Sequence, residues 1–277
     1  MTGKAIKPAK PAPEDEEAEL QASAAPLLDH LTELRRRLIT SLAAIGIAFV
    51  ICYVFSEQIF NVLIIPFVNA VGQAAGKDPT LYFAPLEFFF TKVRLSIFAA
   101  VVVAFPVLAH QIYRFIAPGL YRRERKAALP FLLAMPVLFA AGASLVYFVM
   151  MPFVMRFAVG FEAQSGEGAP ATYELLTRVG DYLTLTTTLI LAFGFAFQLP
   201  VLLTLMARAG LVTADFLARN RRFAVVIVFI IAAFLTPPDP FSQVALGACI
   251  LALYELSVLS VRLAEKKAKQ AAEEAAA

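Results

Sequence analysis

Apolar runs at roughly 38–56, 93–113, 128–150 and 183–206 each approach the ~20 residues that carry a helix across a ~30 Å hydrocarbon layer. Inside lipid a backbone can satisfy its own N–H and C=O groups only as a helix or a closed barrel, so these runs predict an all-α membrane protein. The composition agrees. It is 60% hydrophobic and 16% charged, where soluble domains carry about 25% charged residues. Two further runs follow. Residues 223–235 supply only about 13 apolar positions, or ~20 Å of helix, before TPPDP at 236–240 stops it. A last run from about Phe241 to Val261 then returns. The expected fold is six transmembrane helices in a bundle, with the fifth and sixth short and joined as a hairpin that thins the adjacent bilayer or stops short of its far side.

Charge orients this bundle. Of the 24 Lys and Arg, all but five lie in the N-terminal segment, in Arg114–Lys126, in Arg208–Arg222 and after Val261. The exceptions are Lys77, Lys92, Arg94, Arg156 and Arg178. A cation at mid-depth costs roughly 2.5 to 3.5 kcal/mol on insertion scales, and basic connections stay inside, so both termini are expected in the cytoplasm. The two longer connections, about 57–92 and 151–182, would then lie outside, with Pro66, Pro79, Pro85, Pro152, Pro170 and the aromatic run Phe88–Phe90 in short interfacial helices. Residues 1–26, rich in Pro, Ala, Lys and Glu, are expected to form a disordered cytoplasmic tail without the apolar core of a cleavable leader. The six-span domain is placed at 27–262, and 263–277 form a second cytoplasmic tail.

Between tail and first span, DHLTELRRR and its two flanking leucines set Leu28, Leu31, Leu34 and Leu38 on one helical stripe, expected as a short amphipathic helix on the membrane surface. Glu33 stands three and four residues before Arg36 and Arg37, the spacing of a surface ion pair worth about 0.2 to 0.5 kcal/mol. Near the end of the second span, PVLAHQIYRFIAPGLYRRERK passes from apolar to basic at Pro118-Gly119, and Glu124 is the one acid among Arg122, Arg123, Arg125 and Lys126. Either acid has two readings: balancing its neighbours, or receiving a cationic visitor.

Nothing in the chain predicts a cofactor, a bound metal or a nucleic-acid partner. No phosphate loop, dinucleotide fingerprint, HExxH or GxSxG occurs, which leaves the common enzymatic mechanisms without parts. His30 and His110 lack ligand-spaced companions, and Cys52 and Cys249 read as packing residues. Polar residues within spans say more, because lipid offers them no partner. Gln198, two positions before Pro200, either satisfies a carbonyl freed by the proline or faces a functional cavity. Glu255 reads as an acid reaching toward the interface, while Thr236, Asp239 and Gln243 would form a polar patch at the hairpin turn.

In this order, HLTELRRR, PVLAHQIYRFIAPGLYRRER, FGFAFQLP and TPPDPFSQ closely resemble the TatC family, over about Pro26 to Val261. The resemblance implies that the six helices form a glove-like bundle, and that the protein is a non-enzymatic receptor in the cell inner membrane. Such a receptor binds twin-arginine signal peptides of folded cargo and works with TatA and TatB single-span subunits, and with further copies of itself, on the proton motive force. It implies that Glu33, Glu124, Phe115, Leu120, Arg125 and Pro85 serve peptide binding or assembly, and that Thr236, Asp239 and Gln243 dock partner helices. Pro118 matches as well. Two positions depart from the family pattern: Gln198 stands where many members carry Glu, and Tyr113 where Trp is frequent. A rival reading, a secondary transporter using Gln198 and Glu255 as ligands, predicts a doubled and inverted span pattern that the sequence does not display.

Overall fold

The computed structural model describes residues 13–75, 81–82, 84–116, 129–163, 177–208, 210–235 and 240–276. The chain opens with α1 (Pro13–Val54), in which the amphipathic segment and the first span are one continuous helix. Residues 13–26 and 263–276 are helical too, as extensions of the first and last helices. After a bend at Phe55 come α2 (Ser56–Ala75), a two-residue strand β1 (Leu81–Tyr82) and α3 (Glu87–Ile116). Then α4 (Leu129–Leu145) runs through a wider turn into α5 (Met151–Ala163). Strand β2 (Thr177–Arg178) pairs in parallel with β1, Leu81 opposite Thr177 and Tyr82 opposite Arg178, and leads into α6 (Val179–Ala196). The chain finishes with α7 (Leu199–Arg208), α8 (Ala214–Arg219), α9 (Arg221–Leu235) and α10 (Pro240–Ala276).

Among the described residues, five stretches are long and apolar enough to cross a membrane: Leu31–Val54, Glu87–Phe115, Leu132–Ala158, Val179–Arg208 and Gln243–Lys266. The expected short fifth span is α9, whose 15 residues reach about 22 Å at 1.5 Å each. The sixth differs from expectation: no Gly or Pro interrupts α10 after Gly247, so the helix runs on past Arg262 and its apolar part alone covers 24 residues. Both long connections contain helices, as expected, but α2 does more than lie on a surface. Its Leu63, Phe67 and Ala70, spaced at helical period, are buried in the main core with Met151 and Met155 of α5.

Prolines set the local irregularities. Pro66 in α2 has no N–H for the Val62 carbonyl, and the Tyr147 hydroxyl donates to that carbonyl instead, at 2.7 Å. Just before Pro152 the Met151 N–H reaches back five residues to the Val146 carbonyl, which widens the helix into a π-turn over Val146–Met150. Pro200 breaks the fourth span at Phe197–Gln198, where the Gln198 N–H bonds Phe195 rather than Gly194.

Packing divides along the span axis. Toward one end, Phe105, Ala109 and Tyr113 of α3 meet Met135 and Phe139 of α4 and Val201 and Leu205 of α7, with the Phe105 and Phe139 rings stacked at 4.1 Å. Close helix approach makes this possible: a Cβ on Gly142 of α4 would lie 2.7 Å from the Phe193 carbonyl oxygen of α6. Small residues serve α1 likewise, as Ala48 packs on Ala100 and Ala104 of α3. Otherwise α1 is little covered, with 11% of its span window buried.

Candidate functional site

Helical spacing brings Glu33 and Arg37 together on α1, one turn before the apolar part begins. The Arg37 guanidinium donates to Glu33 Oε1 through both Nε (3.1 Å) and Nη2. Its remaining Nη1 donates to Gln111 Oε1 on α3 at 3.4 Å. Thus the ion pair foreseen between Glu33 and its arginines forms with Arg37, and the HLTELRRR motif is joined to HQIYRF through one guanidinium. Phe115, one turn beyond Gln111, is half-buried. Buried Tyr113 holds this end of α3 in the core. Both motifs therefore meet at one end of the bundle. Leu120, Glu124 and Arg125, with Pro118, lie outside the described residues, so their relation to Glu33 rests on sequence.

The other expected site residues are distributed elsewhere. Pro85 is exposed in the turn before α3, and 30 residues of helix separate it from the Phe115 end, about 45 Å. It does not join Glu33 and Phe115 in one site. Gln243 is half-buried in the first turns of α10, while Thr236 and Asp239 lie outside the described residues. Glu255 pairs across helices with Arg221 of α9 at 2.7 Å, a partner that its proximity to Arg262 in the sequence did not suggest.

Gln198 serves the break before Pro200, though not at the Ala196 carbonyl that the missing Pro200 N–H would have met. Its Nε2 donates to the Gly194 carbonyl, left without a helical donor by the break, and to the Met135 carbonyl of α4, both at 3.2 Å. Its Oε1 is buried without a hydrogen-bond partner among the described residues. Gln198 and Glu255 thus have separate partners on separate helices, which removes the paired ligand set a solute transporter would need.

The opposite end carries contacts that the sequence did not announce. Glu87 accepts from the backbone N–H of Ala84 (2.6 Å) and, across the bundle, from that of Gly180 (2.9 Å). A Cβ at Gly180 would press on the Glu87 carboxylate, so any larger residue there must displace it. Nearby, Arg94 donates to Thr184 Oγ1 at 2.5 Å and the Tyr182 hydroxyl to the Leu63 carbonyl at 2.8 Å. A lone acid followed by three phenylalanines gave no local cue, because its acceptor role depends on a backbone N–H 93 positions away.

Residues 29–248 match the family described as Sec-independent protein translocase protein (TatC). The chain belongs to the TatC family. Among its relatives, the TatC of Magnetococcus marinus is 45% identical over 253 residues, covering 91% of this chain and 90% of that one. The TatC of Aquifex aeolicus is 33% identical over 245 residues, covering 88% and 98%. A crystal structure described as a twin arginine translocase receptor, TatC, superposes with a TM-score of 0.74 at 34% identity over 85% of this chain and 99% of that one. The fold is therefore that of a multi-pass TatC-family membrane protein. This family comprises protein translocase components rather than enzymes.

Proposed function

We propose that this chain is the receptor of a twin-arginine translocase, binding the Arg-Arg motif of signal peptides at the cytoplasmic face of the cell inner membrane. The carrying observation is the Glu33–Arg37–Gln111 arrangement, in which a carboxylate near the start of the first span already accepts a guanidinium through two N–H groups. An incoming arginine is the ligand whose geometry that carboxylate fits, because guanidinium presents a rigid fork and an ammonium does not. Arg37 makes the exchange selective: a weakly held cation cannot compete with a partner tethered four residues away. Glu124, among its basic neighbours, supplies the second carboxylate in this reading, with Phe115 and Leu120 as apolar contacts for the peptide and Arg125 beside it. Pro85, at the far end of α3, is assigned to assembly.

The positive-inside bias supports cytoplasmic termini. Short α9, with Thr236 and Asp239 next in sequence and Gln243 in α10, supplies the docking flank for TatA and TatB helices, since hydroxyl and amide groups in lipid join helices by about 0.6 to 2 kcal/mol each. Folded cargo then crosses with those subunits on the proton motive force, along a path that six helices alone do not enclose.

Binding of an Arg-Arg signal peptide and its Lys-Lys counterpart to the protein in nanodiscs tests the reading. The Arg-Arg peptide is expected to bind more tightly, and Glu124→Lys to weaken it by at least about tenfold, the equivalent of one charge-assisted hydrogen bond. Equal affinity for both peptides, or binding unaffected by Glu124→Lys in a folded protein, would refute it.

A further inference from the structure

At the end of the bundle opposite Glu33, a cavity of about 270 Å³ opens between the start of α2 and the start of α3. Ser56, Glu57, Asn61, Thr91 and Lys92 line it, with Phe88 at its wall. Its chemistry is unusual for the surroundings. Ser56 is 2% exposed, and its hydroxyl has no hydrogen-bond partner among the described residues. A buried hydroxyl without a partner costs free energy unless a ligand or water completes it. Lys92 is half-buried with its ammonium 5.1 Å from the centre of the Tyr53 ring, and among the described residues neither it nor Glu57 forms an ion pair. One cation, one anion and one unsatisfied donor thus share a small space without neutralising one another.

The position of the cavity says what would occupy it. The spans Leu31–Val54 and Glu87–Phe115 end and begin here, so the opening sits at the border between hydrocarbon and headgroups. Its flanks are exposed and apolar: Val54 at 70%, Phe55 at 53% and Phe88 at 56%. A group with opposite charges on its polar part and acyl chains below meets all of these conditions. We propose that this cavity is a specific site for a phospholipid whose headgroup joins a phosphate to a primary amine, as in phosphatidylethanolamine. Lys92 donates to the phosphate oxygens, the Ser56 hydroxyl joins it by a rotation of its side chain toward the cavity, and the Glu57 carboxylate with the Asn61 carbonyl accepts from the ammonium. The acyl chains lie along the apolar flank. This site is independent of peptide recognition, being at the other end of the bundle.

Native mass spectrometry of the full chain, released from detergent containing equimolar phosphatidylethanolamine and phosphatidylglycerol of identical acyl chains, tests it. Wild-type protein is expected to retain the ethanolamine lipid about tenfold over the glycerol lipid, the ratio that one charge-assisted hydrogen bond to the amine supplies. Glu57→Gln should equalise the two lipids without lowering their sum, a result that misfolding would not produce. Lys92→Gln should lower both, and Ser56→Ala should do so to a lesser degree. Equal retention of the two lipids by wild type, or an unchanged ratio in Glu57→Gln, would overturn the proposal. Soluble glycerophosphoethanolamine provides the remaining arm. Failure to displace the lipid at equal concentration supports a lipid site, and displacement overturns that assignment in favour of a soluble ligand of the same headgroup chemistry.

Discussion

The two ends of this bundle are fastened by different mixtures of bond. At the Glu87 end most of these contacts join a side chain to backbone: Glu87 to the Ala84 and Gly180 N–H groups, Tyr147 to the Val62 carbonyl, Tyr182 to the Leu63 carbonyl, with Arg94 to Thr184 as a side-chain pair. At the Glu33 end Tyr254 likewise donates to the Leu217 carbonyl and Glu265 accepts from the Ala214 N–H, but charged side chains also pair with one another: Arg37 with Glu33 and Gln111, Arg221 with Glu255. Backbone groups cannot rotate away to another partner, and leaving one unpaired in an apolar setting is expensive. A side-chain pair at an interface is worth little to stability and can exchange one partner for another. The first end therefore suits a fixed cap. The second suits a receptor.

Substitutions at the cap should give the largest losses. Glu87→Ala leaves two backbone donors without their acceptor, so its unfolding midpoint in detergent should fall further than that of any single change at the Glu33 end, with faster hydrogen exchange at residues 84–90 and 179–184. A midpoint equal to wild type would break the contrast. Tyr182→Phe, at a side chain 2% exposed, should cost about 0.5 to 1.5 kcal/mol in denaturant titration, the net worth of the one hydrogen bond it loses. Arg37→Gln should cost only about 0.2 to 1 kcal/mol, because the pair is partly exposed, yet alter Arg-Arg peptide affinity if Glu33 holds the peptide as proposed. Arg221→Ala, whose pair with Glu255 is about half-exposed, should change stability by less than about 0.5 kcal/mol. A large loss there would show that the lipid around α9 makes this pair behave as a buried one.

What the sequence disclosed follows the range of the forces involved. Hydropathy is local, so the spans and the brevity of α9 were readable. So was the i to i+4 pairing of Glu33 with Arg37. Gln198 was legible for the same reason, its meaning lying two residues away at Pro200. Glu87 was not, because it reads as one more residue of a loop until β1 and β2 bring Gly180 beside it. The partner of Glu255 was hidden likewise, since Arg221 lies 34 positions before it while Arg262 is a near neighbour in the chain. The length of α10 is not legible in hydropathy, because charged residues end a helix's passage through lipid and not the helix itself.

The brevity of α9 has a consequence for company. Fifteen residues offer about 22 Å of height to a hydrocarbon layer of about 30 Å, so lipid beside this helix must slope or compress. Two undersized helices standing together share one dimple where apart they would make two. Bilayer elasticity alone would then gather short single-span neighbours to this flank before any hydroxyl or amide made contact.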